Sequence, residues 1–152
     1  EPQLRLLFTK RIYRLEFAPD LGRIFYLAVE DIGYVDVRRN DAAPVVMARG
    51  LRPADLAYEP TRRELYVQIY RRPDILLFDA VEGSPTATIQ LDDWYGGGLK
   101  AVPGRVFLQL ASRQGLFSID ATTPTTSTRA PAVCGMNAVK IRGATTESSS
   151  SP

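Results

Sequence analysis

The stretch LDDWYGGGLK, residues 91–100, gathers the sole Trp of the chain, two adjacent acids and three consecutive glycines. Aromatic rings beside charge are enriched where partners bind, so Asp92, Asp93, Trp94 and Tyr95 are candidates for a contact surface. The plainer expectation is a Trp packed between elements, with the glycines permitting a tight turn. The glycines do not make a phosphate cradle, because no Lys-Ser/Thr follows them and no helix is expected there. Three pairs of arginines, Arg38-Arg39, Arg62-Arg63 and Arg71-Arg72, fall in expected turns. Solvated rims are the expectation for these pairs and anion-binding patches the sharper alternative.

Three more acids, Asp36, Asp79 and Asp120, each close an apolar run: Tyr34-Val35-Asp36, Leu77-Phe78-Asp79 and Phe117-Ser118-Ile119-Asp120. Three matched carboxylates invite a metal site. A strand-terminal Asp, however, commonly accepts from the backbone of the turn that follows, and that role is expected here. The chain has no histidine, which removes His-dependent triads, His-ligated zinc and the commonest base near neutral pH. Cys134 stands alone, so it forms no internal disulfide and is expected to be a buried inert thiol. No residue is assigned a catalytic role, no cofactor is expected, and the chain is not expected to be an enzyme.

What positions these residues is a repeat. Ile24, Leu65 and Val106 open successive apolar bursts, and both intervals are 41 residues. In register the bursts read IFYLA, LYVQI and VFLQL. Short, rich in aromatic and branched residues and apolar on both faces, they predict strands sandwiched between other layers. A proline follows each closing aspartate (Pro44, Pro85, Pro124) and leads into VVMA, TATIQ or TTST. Proline cannot donate to a ladder, so each of these segments is expected as an outer edge strand. Before each burst stands another short strand, RLEFAPD, ADLAYEP or the abbreviated GLKAVPG.

Four strands in about 40 residues joined by Gly, Pro and Asp turns predict an all-β fold, a β-propeller-like array of four-stranded antiparallel blades. The expected blades span about 13–48, 54–90 and 98–128. Flanking them are an outer strand at about 3–8, in phase with Pro2, and an inner strand at about 136–142. The polar ATTESSSSP at 144–152 reads as a tail or linker.

DLAYEPTRRELYVQIYRRPDILLFDA resembles the repeat of YVTN and NHL β-propellers, with the likeness covering about residues 13–128 in three units. That resemblance implies loops on a rigid scaffold, with 91–98 and 70–74 on one face, where Asp92 and Asp93 can meet Arg71 and Arg72. It also favours a periplasmic or extracellular location. Within such propellers, the gluconolactonase type implies an alternative: a hydrolase or lactonase holding a divalent cation, for which Glu16 and Asn137 are residues of suitable type.

The net charge of +2 is too small to predict a nucleic-acid partner. No apolar run approaches the roughly 20 residues needed to span a bilayer as a helix, so no direct insertion is expected. The chain opens on Glu1 rather than Met, which fits a processed chain or a segment of a longer one. Three blades fall short of the roughly 4–8 that close a ring. An uncovered blade face would expose an apolar patch, so a protein partner or self-association is expected to complete the array. The overall expectation is a non-catalytic interaction or structural module.

Overall fold

The computed structural model describes residues 6, 8–91, 98–109 and 116–122, together with the backbone of 133 and 134. Among them every regular element is a strand, and the strands form three four-stranded antiparallel meanders. The first blade is β1 (Ile12–Ala18), β2 (Arg23–Ala28), β3 (Ile32–Asp36) and β4 (Val45–Ala48). The second is β5 (Pro53–Glu59), β6 (Glu64–Ile69), β7 (Asp74–Asp79) and β8 (Pro85–Gln90). The third is β9 (Lys100–Val102), β10 (Arg105–Leu108), β11 (Phe117–Asp120) and β12 (Val133–Cys134). The all-β, blade-like array expected from the repeat is the observed architecture.

The third blade takes its fourth strand from 133–134, past the boundary at about 128. Residues 125–128, most of the segment at 3–8, and the inner strand at 136–142 lie outside the described residues.

Why these residues make these strands follows from burial. All six residues of β6 are buried, as a strand apolar on both faces requires when a layer lies on each side. Pro85 is the first residue of β8, and Pro44 directly precedes β4. Both outer strands are more exposed than the strands they pair with. Here the missing N–H of proline breaks no inner ladder.

The blades stack through their first strands, β1 against β5 and β5 against β9. One core lies between blades 1 and 2, where Phe25, Leu27 and Ile32 meet Leu56, Leu65 and Phe78. A second lies between blades 2 and 3, where Tyr66, Ile75 and Leu77 meet Leu99, Val106 and Ile119. A smaller cluster on the far side of blade 1 joins Tyr26, Ala28 and Val35 to Phe8 and Ile12.

The repeat is exact enough to show in one turn. Gly22, Arg63 and Gly104 occupy the same place between the first two strands of each blade, with φ of 61°, 54° and 82°. Their carbonyls accept from Val37, Ala80 and Ala121 N–H respectively. Arg63 adopts a left-handed conformation that glycine takes freely and other L-residues adopt at a cost of roughly 1–2 kcal/mol. Its guanidinium meets Asp20 at 3.4 Å.

Candidate interaction surface

The three strand-terminal aspartates shape turns. Asp79 Oδ1 accepts from Val81 and Glu82 N–H at 2.8 and 2.9 Å. Asp120 Oδ1 accepts from Thr122 N–H and Oγ1–H at 2.8 and 2.6 Å. Asp36 accepts from the Arg38 guanidinium and, at 3.0 Å, from its backbone N–H. Hydrogen bonds to a carboxylate favour its charged form. Those from the Arg38 side chain and then its backbone bring the Asp36 carboxyl down to about 2. The Thr122 hydroxyl and N–H lower Asp120 in the same way.

A second set of carboxyl groups bridges blades, and where the donor is a backbone N–H the acid stands on the earlier blade and the donor on the next. Glu16 Oε1 on β1 accepts from Tyr58 N–H on β5 at 3.4 Å. Asp20, in the turn after β1, accepts from the Tyr58 hydroxyl at 2.9 Å. Burial and then this bond push the Tyr58 phenol well above its ordinary range.

Between blades 2 and 3, Asp55 Oδ2 accepts from Leu99 N–H at 2.7 Å, and Glu59 Oε1 from Gly104 N–H at 2.7 Å. Glu59 is fully buried and also accepts from Thr61 and Arg62 N–H. Buried acids are tolerated only with such partners. Asp55 additionally faces the Arg14 guanidinium at 2.9 Å.

Glu16 therefore serves the boundary between blades. Asn137, its companion in the metal alternative, lies outside the described residues. Among the described residues no group of three or more His, Cys, Asp or Glu is placed to hold a metal ion.

The turn at 70–74 is firmly built. Tyr70 N–H donates to Arg52 O at 2.7 Å, and the Gln68 amide donates to Arg72 O at 2.8 Å. Arg71 is exposed at φ 56°, its guanidinium 5.3 Å from the Tyr70 ring centroid. Arg72 reaches Asp74 at 2.5 Å, a partner that sequence reasoning had not named. Leu91 N–H donates to Pro73 O at 2.7 Å, which ties the end of the second blade to this turn. Asp92, Asp93, Trp94 and Tyr95 themselves lie outside the described residues.

An apolar exposure that sequence reasoning had not located lies on blade 1. Leu15 and Phe17 are 59% and 57% exposed on the face of β1 turned away from blade 2. Leu15 pairs with Tyr26 and Phe17 with Ile24, while in blade 2 Leu56 pairs with Val67 and Tyr58 with Leu65. Leu15 and Phe17 thus occupy the register positions of Leu56 and Tyr58, which blade 1 covers. Val37, at the position of the fully buried Ala80, extends the open face with 42% exposure.

Comparison with known proteins places this fold. No protein family and no curated protein matches the chain. Among solved structures, the array is similar to Kuenenia stuttgartiensis hydrazine synthase, with a TM-score of 0.57 and 20% identity over 70% of this chain. It is also similar to the dihydro-heme d1 dehydrogenase NirN in complex with DHE, with a TM-score of 0.58 and 15% identity over 80% of this chain. The chain spans 32% and 27% of those two proteins. At these identities the likeness is one of fold.

Proposed function

We propose that this chain is a non-catalytic interaction or structural module, a portion of a larger blade array or multi-chain assembly built from repeats of the YVTN or NHL type. The observation that carries the proposal is the open face of blade 1, where Leu15 and Phe17 stand in water at positions that the same fold buries in blade 2. Burying such a side chain is worth roughly 1.5–3 kcal/mol, and contiguous apolar exposure marks surfaces that meet a partner. Its similarity to parts of much longer chains agrees with this reading. In the assembly, rigid blades present the 70–74 turn and the neighbouring 91–98 link to a protein partner. A location outside the cytoplasm, implied by the repeat resemblance, belongs to the same proposal.

Native mass spectrometry of the chain isolated from its own source tests this. A particle heavier than the 16.9 kDa of the chain, with the excess assigned to protein, is the expected result. A monodisperse 16.9 kDa particle carrying no partner sinks the proposal.

A further inference from the structure

We infer that the open face of blade 1 is the docking face for one more four-stranded blade, whose innermost strand carries a Glu or Asp that accepts from the Phe17 or Leu15 N–H. This deepens the assembly reading and rests on it. The fold itself shows what covers such a face, because among the described residues the register-equivalent face of blade 2 is covered by blade 1, whereas on blade 1 Phe8 and Ala42 pack beside Tyr26 and leave Leu15 and Phe17 in water.

The carboxylate follows from the two boundaries already present. Tyr58 N–H, which Glu16 accepts, corresponds to Phe17 N–H. Leu99 N–H, which Asp55 Oδ2 accepts, corresponds to Leu15 N–H. In an antiparallel strand alternate N–H groups point to the same edge, so both blade 1 donors face the free inner edge of β1. Among the described residues no side chain accepts from either. Phe17 lacks the hydroxyl by which Tyr58 engages Asp20, so the incoming blade needs no acid at the Asp20 position.

The same comparison argues against a second copy of this chain as the occupant. A head-to-tail copy would bring up the outer face of blade 3, and the positions equivalent to Asp55, Glu16 and Glu59 are there Gly98, Lys100 and Val102. None offers a carboxyl group. Blade 1 itself does, and supplies a ready probe. Residues 1–51 followed directly by 11–152 give an extended chain in which a copy of blade 1 precedes the native one. The junction Leu51–Arg11 then imitates the native Leu51–Arg52 link. Leu15 replaces Leu56 without change, and Phe17 replaces Tyr58 as a near isostere.

Amide hydrogen exchange, read residue by residue, tests the inference. The second-copy Phe17 N–H is expected to exchange at least about 100-fold more slowly than in the native chain. Glu16→Ala in the first copy should remove most of that protection, and Glu16→Ala in the second copy should leave it. Because Tyr26 is larger than the equivalent Val67, a second extended chain carries Tyr26→Val in its second copy. Unchanged exchange in both extended chains overturns the inference. Protection that survives Glu16→Ala in the first copy overturns the carboxylate assignment. Either failure is separable from that of the assembly reading, since the native mass reports association through any surface.

Discussion

Leu56 and Tyr58 in the second blade are 0% and 5% exposed, whereas Leu15 and Phe17, at the same register in the first, are 59% and 57% exposed. The sequences at these positions are nearly the same, and so are the strand pairings. The environments differ because, among the described residues, blade 2 has a neighbouring blade on each face and blade 1 on one. The hydrophobic effect scales with area removed from water, so one phrase contributes differently to stability according to its place in the array. The neighbour also supplies acceptors: Glu16 and Asp20 serve Tyr58, while no side chain among the described residues serves the Phe17 N–H.

The largest expected effect separates the two blades directly. Leu56→Ala should destabilise the chain by about 2–5 kcal/mol in a denaturant titration, as full-burial truncations do. Leu15→Ala at the equivalent place should cost no more than about 0.5 kcal/mol. Equal losses would break the comparison.

The Glu59 carboxyl accepts three backbone N–H groups while fully buried. Glu59→Gln turns an amino group toward donors and should cost about 1.5–3 kcal/mol. Tyr58→Phe gives blade 2 the residue that blade 1 has at that position. It removes the bond to the partly exposed Asp20, for an expected loss of about 1 kcal/mol. A double change with Asp20→Asn should add little beyond the single one, since the two groups share one interaction.

The smallest effect has the opposite sign. Glu64 stands where blades 1 and 3 have Arg23 and Arg105, and burial, against a bond from the Tyr66 hydroxyl, raises its carboxyl above the ordinary value of 4.5. A raised folded-state pKa contributes stability that is fully present below the unfolded value and is lost as pH rises through the folded one. Glu64→Gln should therefore be the more stable form at neutral pH, and the two should converge below about pH 4.5 in thermal melts. A gap that widens on acidification would reverse the sign of this assignment.

Much of the architecture was legible in the chain. The 41-residue spacing of Ile24, Leu65 and Val106, the two-faced apolarity of β6 and the prolines at the start of β4 and β8 each state a physical requirement that the fold meets. The turn role of Asp36, Asp79 and Asp120 was legible for the same reason, because their partners lie two or three residues away. The bridging acids were not. Asp55 and Glu59 accept from N–H groups 44 and 45 residues distant, and nothing local distinguishes a strand acid that crosses a boundary from one in water. Arg63 concealed its left-handed turn because it is not glycine, and only the equivalence with Gly22 and Gly104 exposes it. Of the expected contact surface, Arg71 and Arg72 are seen on one built turn, while Asp92–Tyr95 lie outside the described residues.

The most direct test of the sealed and open faces is amide hydrogen exchange on the full chain, comparing the Tyr58 and Phe17 N–H groups in one sample. The account predicts that Tyr58 exchanges only through opening of the blade 1–blade 2 boundary, and that Phe17 exchanges orders of magnitude faster. Equal protection of the two would contradict it, because the first face would then already be covered.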